Sequence, residues 1–91
     1  AAIDYISKIG MEVIGRYEHA LLEYATNLLR PINGVKLIGT AKHKASVLSF
    51  TLKGYTNDEV GQALNKEGIA VRTGHHCAQP ILRRLGVETT V

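Results

Sequence analysis

The sequence predicts an α+β fold in which helices pack on one face of a small, mainly antiparallel sheet. In the first third of the chain, apolar residues recur at helical spacing, whereas two later segments alternate apolar and polar residues as strands do. No long series of alternating strands and helices indicates a parallel sheet. Because 91 residues with 45% apolar content can bury one modest core, we expect a single domain over residues 1–91.

Two helices are predicted at the start of the chain. The apolar stripe runs from Ile3 to Leu29 and is interrupted at Gly10, which indicates a short helix, a break and a long helix. The long helix should end at Arg30, because the following Pro31 disfavours helical backbone in the residue before it.

Two strands should follow. The segments 35–38 and 46–52 are rich in β-branched and alternating apolar residues, and the turn signal Asn33-Gly34 precedes the first of them. We expect these strands to pair antiparallel around the loop 39–44.

The last third is predicted to hold a helix, a short strand and a final helix. Thr56 and Glu59 have the spacing of a capping box and begin a helix that should end at Gly68. Residues 69–71 are then expected to form a buried strand and residues 79–85 a helix. The predicted core consists of Ile14, Leu21, Leu28, Val47, Phe50, Leu64 and Val71.

Composition and charge exclude several classes of partner. The net charge of +3 comes from eleven basic residues scattered among eight acidic ones, and four Tyr and one Phe offer little base stacking, so we expect no nucleic-acid partner. No apolar run approaches the roughly 18 residues that a membrane span needs. The single cysteine excludes an intrachain disulfide, so we expect a reduced thiol and a cytoplasmic location.

The segment 72–80 concentrates reactive side chains. Arg72, His75, His76 and the only thiol, Cys77, lie between the predicted strand and the last helix. A helix start and neighbouring cations favour the nucleophilic thiolate form, so Cys77 is a candidate nucleophile. Spacing alone leaves an inert, buried cysteine equally open, because free cysteine is among the most buried residue types.

A zinc site is the other chemical interpretation of this segment. His75, His76 and Cys77 could each bind a metal ion, with His19 or His43 completing a set of four. Adjacent residues seldom converge on one ion, and structural zinc sites separate paired ligands by two to four residues. The chain has no second cysteine, so we expect no metal site.

At this point the sequence resembles a known family. The run Arg72-Thr73-Gly74-His75-His76-Cys77-Ala78-Gln79-Pro80 is similar to the active-site loop of group II cysteine desulfurases and selenocysteine lyases, which are class V aminotransferase-like enzymes that use pyridoxal phosphate. The segments 68–71, 17–21 and 49–50 also resemble that family's C-terminal domain. The resemblance therefore covers essentially the whole chain and implies the small C-terminal domain of a fold-type I enzyme.

The resemblance implies a role for each loop residue. Cys77 would take the sulfur of L-cysteine as a persulfide, leaving L-alanine, to supply iron–sulfur cluster assembly or other sulfur biosynthesis. Arg72, His75 and His76 would frame Cys77 and contact substrate or persulfide, with Arg72 the foremost of the three.

The resemblance also implies what the chain lacks. In the family, pyridoxal phosphate forms a Schiff base with a lysine of a preceding large domain, which is absent here, as is the substrate-binding arginine that follows in the family. Lys44 follows His43 but lies in a predicted turn without a glycine-rich context, so we interpret it as an exposed turn residue. We expect no cofactor on this chain, and no activity from it alone.

The implied partners are L-cysteine, a sulfur-acceptor protein and, for the full-length parent enzyme, a second copy in a homodimer. Two alternatives stay open at this stage. The chain could be a stand-alone sulfur-carrier or interaction module that keeps the thiol without a cofactor domain. Within the enzyme class, the substrate could be selenocysteine or cysteine sulfinate instead of cysteine.

Overall fold

The computed structural model describes all of residues 1–91. Its helices are α1 (Ala2–Ile9), α2 (Met11–Leu29), α3 (Asn57–Lys66) and α4 (Gln79–Arg84), and its strands are β1 (Val35–Ile38) and β2 (Ser49–Leu52). The two strands pair antiparallel, with Val35 opposite Leu52 and Leu37 opposite Phe50. The predicted α+β class with a small antiparallel sheet is confirmed. None of the four helices is both long and apolar enough to cross a membrane.

The local signals for helix ends act as the sequence predicts. Gly10 adopts a φ of 94°, a left-handed value that favours glycine, and separates α1 from α2. Arg30 caps the end of α2 immediately before Pro31. At α3, the Thr56 hydroxyl accepts a hydrogen bond from the Glu59 N–H at 3.2 Å, and the Thr56 N–H donates to Glu59 Oε2 at 2.7 Å. This capping box satisfies two backbone donors at the first turn.

The capping box makes the stability of α3 depend on pH. The hydrogen bonds from Thr56, first its backbone N–H and then its hydroxyl, lower the pKa of Glu59 below 4.5. Because the pKa of Glu59 is lower in the folded state than in the unfolded state, the ionised side chain stabilises the fold at pH values above 4.5. This stabilisation is lost as the pH falls through the pKa of the folded state. We expect Glu59→Gln to lose less helical circular dichroism than the wild type as pH falls, because its side chain at position 59 no longer titrates. Glu67→Gln, at the other end of α3, should show the same loss as the wild type. Identical profiles for all three proteins would contradict this account.

The chain end adds a third row of backbone to the sheet, which the sequence analysis did not predict. Phe50 and Val91 exchange two backbone hydrogen bonds, at 3.0 and 3.2 Å. Thr90 exchanges two more with Gly74, at 3.0 and 3.1 Å. Residues 90–91 therefore lie between β2 and the loop that carries Cys77, and join one to the other.

Two strand predictions are wrong. Residues 69–71 form no strand, and Ile69 and Val71 are 51% and 42% exposed. Strand β2 begins at Ser49 rather than Ser46, which leaves Val47 65% exposed. Both unpaired segments line the same open cleft. Their β-favouring composition does not produce strands because neither segment pairs its backbone with another segment of the chain.

The predicted core is also wrong in its membership. None of the seven predicted side chains is buried, and the longest helix, α2, contains no buried residue. The buried residues are Ile38, Val60, Leu82, Thr90 and Val91. The buried residues therefore come from β1, α3, α4 and the chain end rather than from α2. Apolar periodicity identifies the face of a helix, but it does not reveal whether a partner for that face exists within these 91 residues.

Candidate active site

The Cys77 loop, residues 72–78, is anchored to the rest of the chain on two sides. On one side, the paired backbones of Gly74 and Thr90 tie it to the chain end. On the other side, the Thr73 hydroxyl donates to Asp58 Oδ1 of α3 at 2.8 Å. The base of the loop is therefore held by the chain end and by the first turn of a helix.

The packing of α3 against the loop is close. A Cβ atom added at Gly61 would lie 2.5 Å from Thr73 Cγ2, so any larger residue at this point of the helix would displace Thr73 or the helix. Nearby, Asn57 Nδ2 donates to Thr89 Oγ1 at 2.7 Å and links α3 to the chain end as well. Helix α3 thus contacts both the Cys77 loop and the chain end that holds it.

The tip of the loop has unusual backbone geometry. His76 and Cys77 adopt φ values of 53° and 57°, in the left-handed region that costs non-glycine residues roughly 1–2 kcal/mol each. Two short-range hydrogen bonds support this turn: the Ala78 N–H donates to the His75 carbonyl at 2.8 Å, and the Cys77 N–H donates to His75 Nδ1 at 3.1 Å. Such strain persists where the surrounding structure holds it, and it is concentrated at functional sites.

Cys77 lies at the outer surface of this turn as a free, exposed cysteine. The alternative of a buried cysteine is therefore wrong for this chain. Cys77 itself lies outside the last helix: as the sequence predicts, α4 starts at Gln79, and Ala78 is its N-cap. Because His76 and Cys77 have a left-handed backbone, right-handed helical geometry can begin only after them.

The structure brings together only some of the predicted site residues. Arg72 and His76 line one open cleft of about 480 Å³, which we call the Arg72 cleft. Its other walls are residues 46–50, Ala70, Val71 and Val91. His75 lines a different cleft, of about 340 Å³, together with Gln79, Arg83 and Glu88 among others. Cys77 lines neither cleft.

His76 has a partner that the sequence analysis missed. Its Nε2 atom lies 3.0 Å from the hydroxyl of Thr90, which is only 1% exposed. Residues 89–91 are of β-favouring types, but nothing in the sequence indicated that Thr90 would contact the loop. The two residues are 14 positions apart in the sequence, so no local sequence pattern indicates their contact.

The remaining histidines and lysines are dispersed. His19 lies on α2, 3.4 Å from Glu23, and no group of three or more potential metal ligands occurs in the chain. The amine of Lys44 donates to the Gly39 carbonyl at 3.1 Å and lines a cavity beside α2. No lysine lines the Arg72 cleft.

Comparison with known proteins identifies the group to which the chain is similar. The family model described as Aminotransferase class-V matches residues 1–91. The chain is 65% identical over its whole length to a cysteine desulfurase of Synechococcus elongatus, of which it covers 14%. It is 67% identical over 90 residues to a probable cysteine desulfurase of Mycolicibacterium paratuberculosis, of which it covers 13%.

Solved structures give the same result. Over 97% of the chain, the fold matches the apo form of the cysteine desulfurase from Thermococcus onnurineus NA1 with a TM-score of 0.91 and 37% identity. Over 98% of the chain, it matches the S-sulfonic acid form of the Escherichia coli cysteine desulfurase CsdA with a TM-score of 0.88 and 27% identity. The chain spans 22% of each of those structures.

Proposed function

Because the chain belongs to the class-V aminotransferase family, we propose that it is the C-terminal domain of a cysteine desulfurase and carries the active-site cysteine loop at residues 72–80. The support is its identity of 65% and 67% to proteins so named. Since the chain spans only 13–14% of those relatives, we assign the cofactor-binding large domain to the rest of the parent enzyme.

The proposed reaction moves one sulfur atom. The Cys77 thiolate attacks the sulfur of bound L-cysteine, a sulfur–sulfur bond forms, and the carbon–sulfur bond of the substrate breaks. The substrate carbon takes up a proton, so the products are L-alanine and a persulfide on Cys77. The observation that carries this proposal is the exposed thiol at the tip of a strained turn whose base is anchored on two sides.

The neighbouring residues are assigned different roles. Arg72 forms no ion pair within this chain, so its guanidinium is available to a substrate carboxylate or a persulfide anion. His76 lines the same cleft and can contact the same ligand. His75 uses its Nδ1 atom to accept the Cys77 N–H, which supports a role in shaping the turn.

The family implies pyridoxal phosphate in the parent enzyme, and the residues of this chain do not fit that group. A Schiff base needs a lysine that faces the substrate. Lys44 instead donates a hydrogen bond to the Gly39 carbonyl and lies outside the Arg72 cleft. We therefore assign the residues that bind the cofactor to the rest of the parent enzyme.

The proposed partners follow from the product. A persulfide on an exposed turn can be reached by a second protein, so we propose a sulfur-acceptor protein that passes sulfur to iron–sulfur cluster assembly or other biosynthesis. The homodimer implied by the resemblance remains a proposal for the parent. A free thiol that must stay reduced suits a reducing compartment, so we propose the cytoplasm.

The test is alanine formation by the full-length parent from three substrates: L-cysteine, L-selenocysteine and L-cysteine sulfinate. We expect alanine from L-cysteine, with the sulfur retained on the protein until a thiol reductant is added. Alanine from selenocysteine alone would assign the parent as a selenocysteine lyase instead. No alanine from any of the three would favour a carrier module and contradict the proposal.

A further inference from the structure

The buried hydroxyl of Thr90 is the one polar side chain in the core. Its exposure is 1%, and it lies 3.0 Å from His76 Nε2. A hydroxyl in such a position is unfavourable unless it is hydrogen bonded, and the imidazole of half-buried His76 is its partner. The Thr90 backbone is also fixed, because it exchanges two hydrogen bonds with Gly74. Thr90 therefore presents a rigid hydroxyl to the Cys77 loop.

The left-handed turn needs such a fixed point. The two hydrogen bonds that Ala78 and Cys77 donate to His75 are internal to the turn and would move with it. The bond from His76 to Thr90 is the only side-chain hydrogen bond that connects the left-handed pair, His76 and Cys77, to another part of the chain. Because His76 directly precedes Cys77, the orientation of its imidazole and the path of the Cys77 backbone are coupled.

We propose that Thr90 is a positioning residue for sulfur transfer: its hydroxyl holds the His76 imidazole, and through it the turn that directs Cys77 toward the substrate. Thr90 itself contacts neither the substrate nor the thiol. The inference rests on the proposed desulfurase function and extends it to a residue outside the cysteine loop.

Three substitutions separate the hydroxyl from the shape of the side chain. Thr90→Val keeps the volume and removes the hydroxyl, whereas Thr90→Ser keeps the hydroxyl and removes the methyl group. Thr89→Val is the matched control, because the Thr89 hydroxyl accepts its hydrogen bond from Asn57 rather than from His76. If only packing matters, Thr90→Ser should be the more damaging change of the two at position 90.

The experiment measures the single-turnover rate of persulfide formation on Cys77 in the full-length holoenzyme. We expect Thr90→Val to slow this step about tenfold, the factor that one hydrogen bond of ordinary net strength supplies, with KM for L-cysteine changed by less than about twofold. Thr90→Ser should stay within about twofold of wild type, as should Thr89→Val. A Thr90→Ser rate as low as that of Thr90→Val, or an unchanged rate in Thr90→Val, would overturn the inference.

A second variant tests whether Thr90 acts through His76. In a His76→Ala background, Thr90→Val should cause no further slowing, because the hydrogen bond is already lost. Independent, multiplying effects would contradict the coupling. If Thr90→Val does not fold, Thr90→Ala takes its place in both backgrounds, and a wild-type rate of persulfide formation in Thr90→Ala refutes the proposal. A wild-type enzyme that forms no Cys77 persulfide would instead refute the proposed function itself, so the two failures are distinguishable.

Discussion

Replacing Cys77 by serine in the full-length parent is expected to lower the rate of alanine formation from L-cysteine by about a hundredfold or more. Serine has nearly the same size, so the turn should keep its shape, but its hydroxyl is a far weaker nucleophile toward sulfur than a thiolate. Because Cys77 is exposed, the loss of its sulfur leaves no cavity. The measurement is steady-state alanine production by the two proteins.

The control for this substitution is the integrity of the fold. Circular dichroism and the cofactor absorbance of the parent should be the same in wild type and Cys77→Ser, since no residue of this chain is assigned to the cofactor. Full alanine production by a correctly folded Cys77→Ser protein would mean that the substrate sulfur leaves without passing through this thiol.

The second large effect is expected at Gly61, where alanine should destabilise the 91-residue chain by about 1–2 kcal/mol. Alanine in a helix gains about 1 kcal/mol over glycine, whereas overpacking costs typically 1–3 kcal/mol. The new Cβ would lie 2.5 Å from Thr73 Cγ2. Thr73 can move away only by rotating its side chain, which would break its 2.8 Å hydrogen bond to Asp58. Overpacking and the lost hydrogen bond therefore outweigh the gain in helix propensity.

Gly15 provides the matched control, because it also lies within a helix but a Cβ there would meet no atom within 4 Å. Gly15→Ala should stabilise the chain by about 0.5–1 kcal/mol, since only the helix propensity changes. Both variants are compared by urea unfolding, followed by helical circular dichroism. Equal stabilisation by the two substitutions would contradict the close contact between α3 and the Cys77 loop.

Features that depend on neighbouring residues were predictable from the sequence. Gly10 and Pro31 determine the ends of helices through their own backbone preferences, and the capping box at Thr56 and Glu59 needs only a spacing of three residues. The exposed cysteine turn was indicated as a reactive segment because its histidines, arginine and thiol are adjacent in sequence.

Features that depend on distant partners were not predictable. The segment 69–71 has the composition of a strand but pairs with no other backbone, and the apolar face of α2 is not fully buried at any residue within this chain. Conversely, Thr90 is buried because the chain end inserts between β2 and Gly74, an arrangement that no local pattern reveals. The same arrangement supplies the hydroxyl that contacts His76.

The central claim is that Cys77 receives the substrate sulfur, and the most direct test locates that sulfur after one turnover. The full-length parent is mixed with a single equivalent of L-cysteine, exposed thiols and persulfides are alkylated, and the digested protein is analysed by mass spectrometry. We predict that the peptide containing Cys77 gains one sulfur atom in proportion to the alanine released. Stoichiometric alanine with an unmodified Cys77 peptide, and the sulfur found as free sulfide or on another residue, would contradict the account.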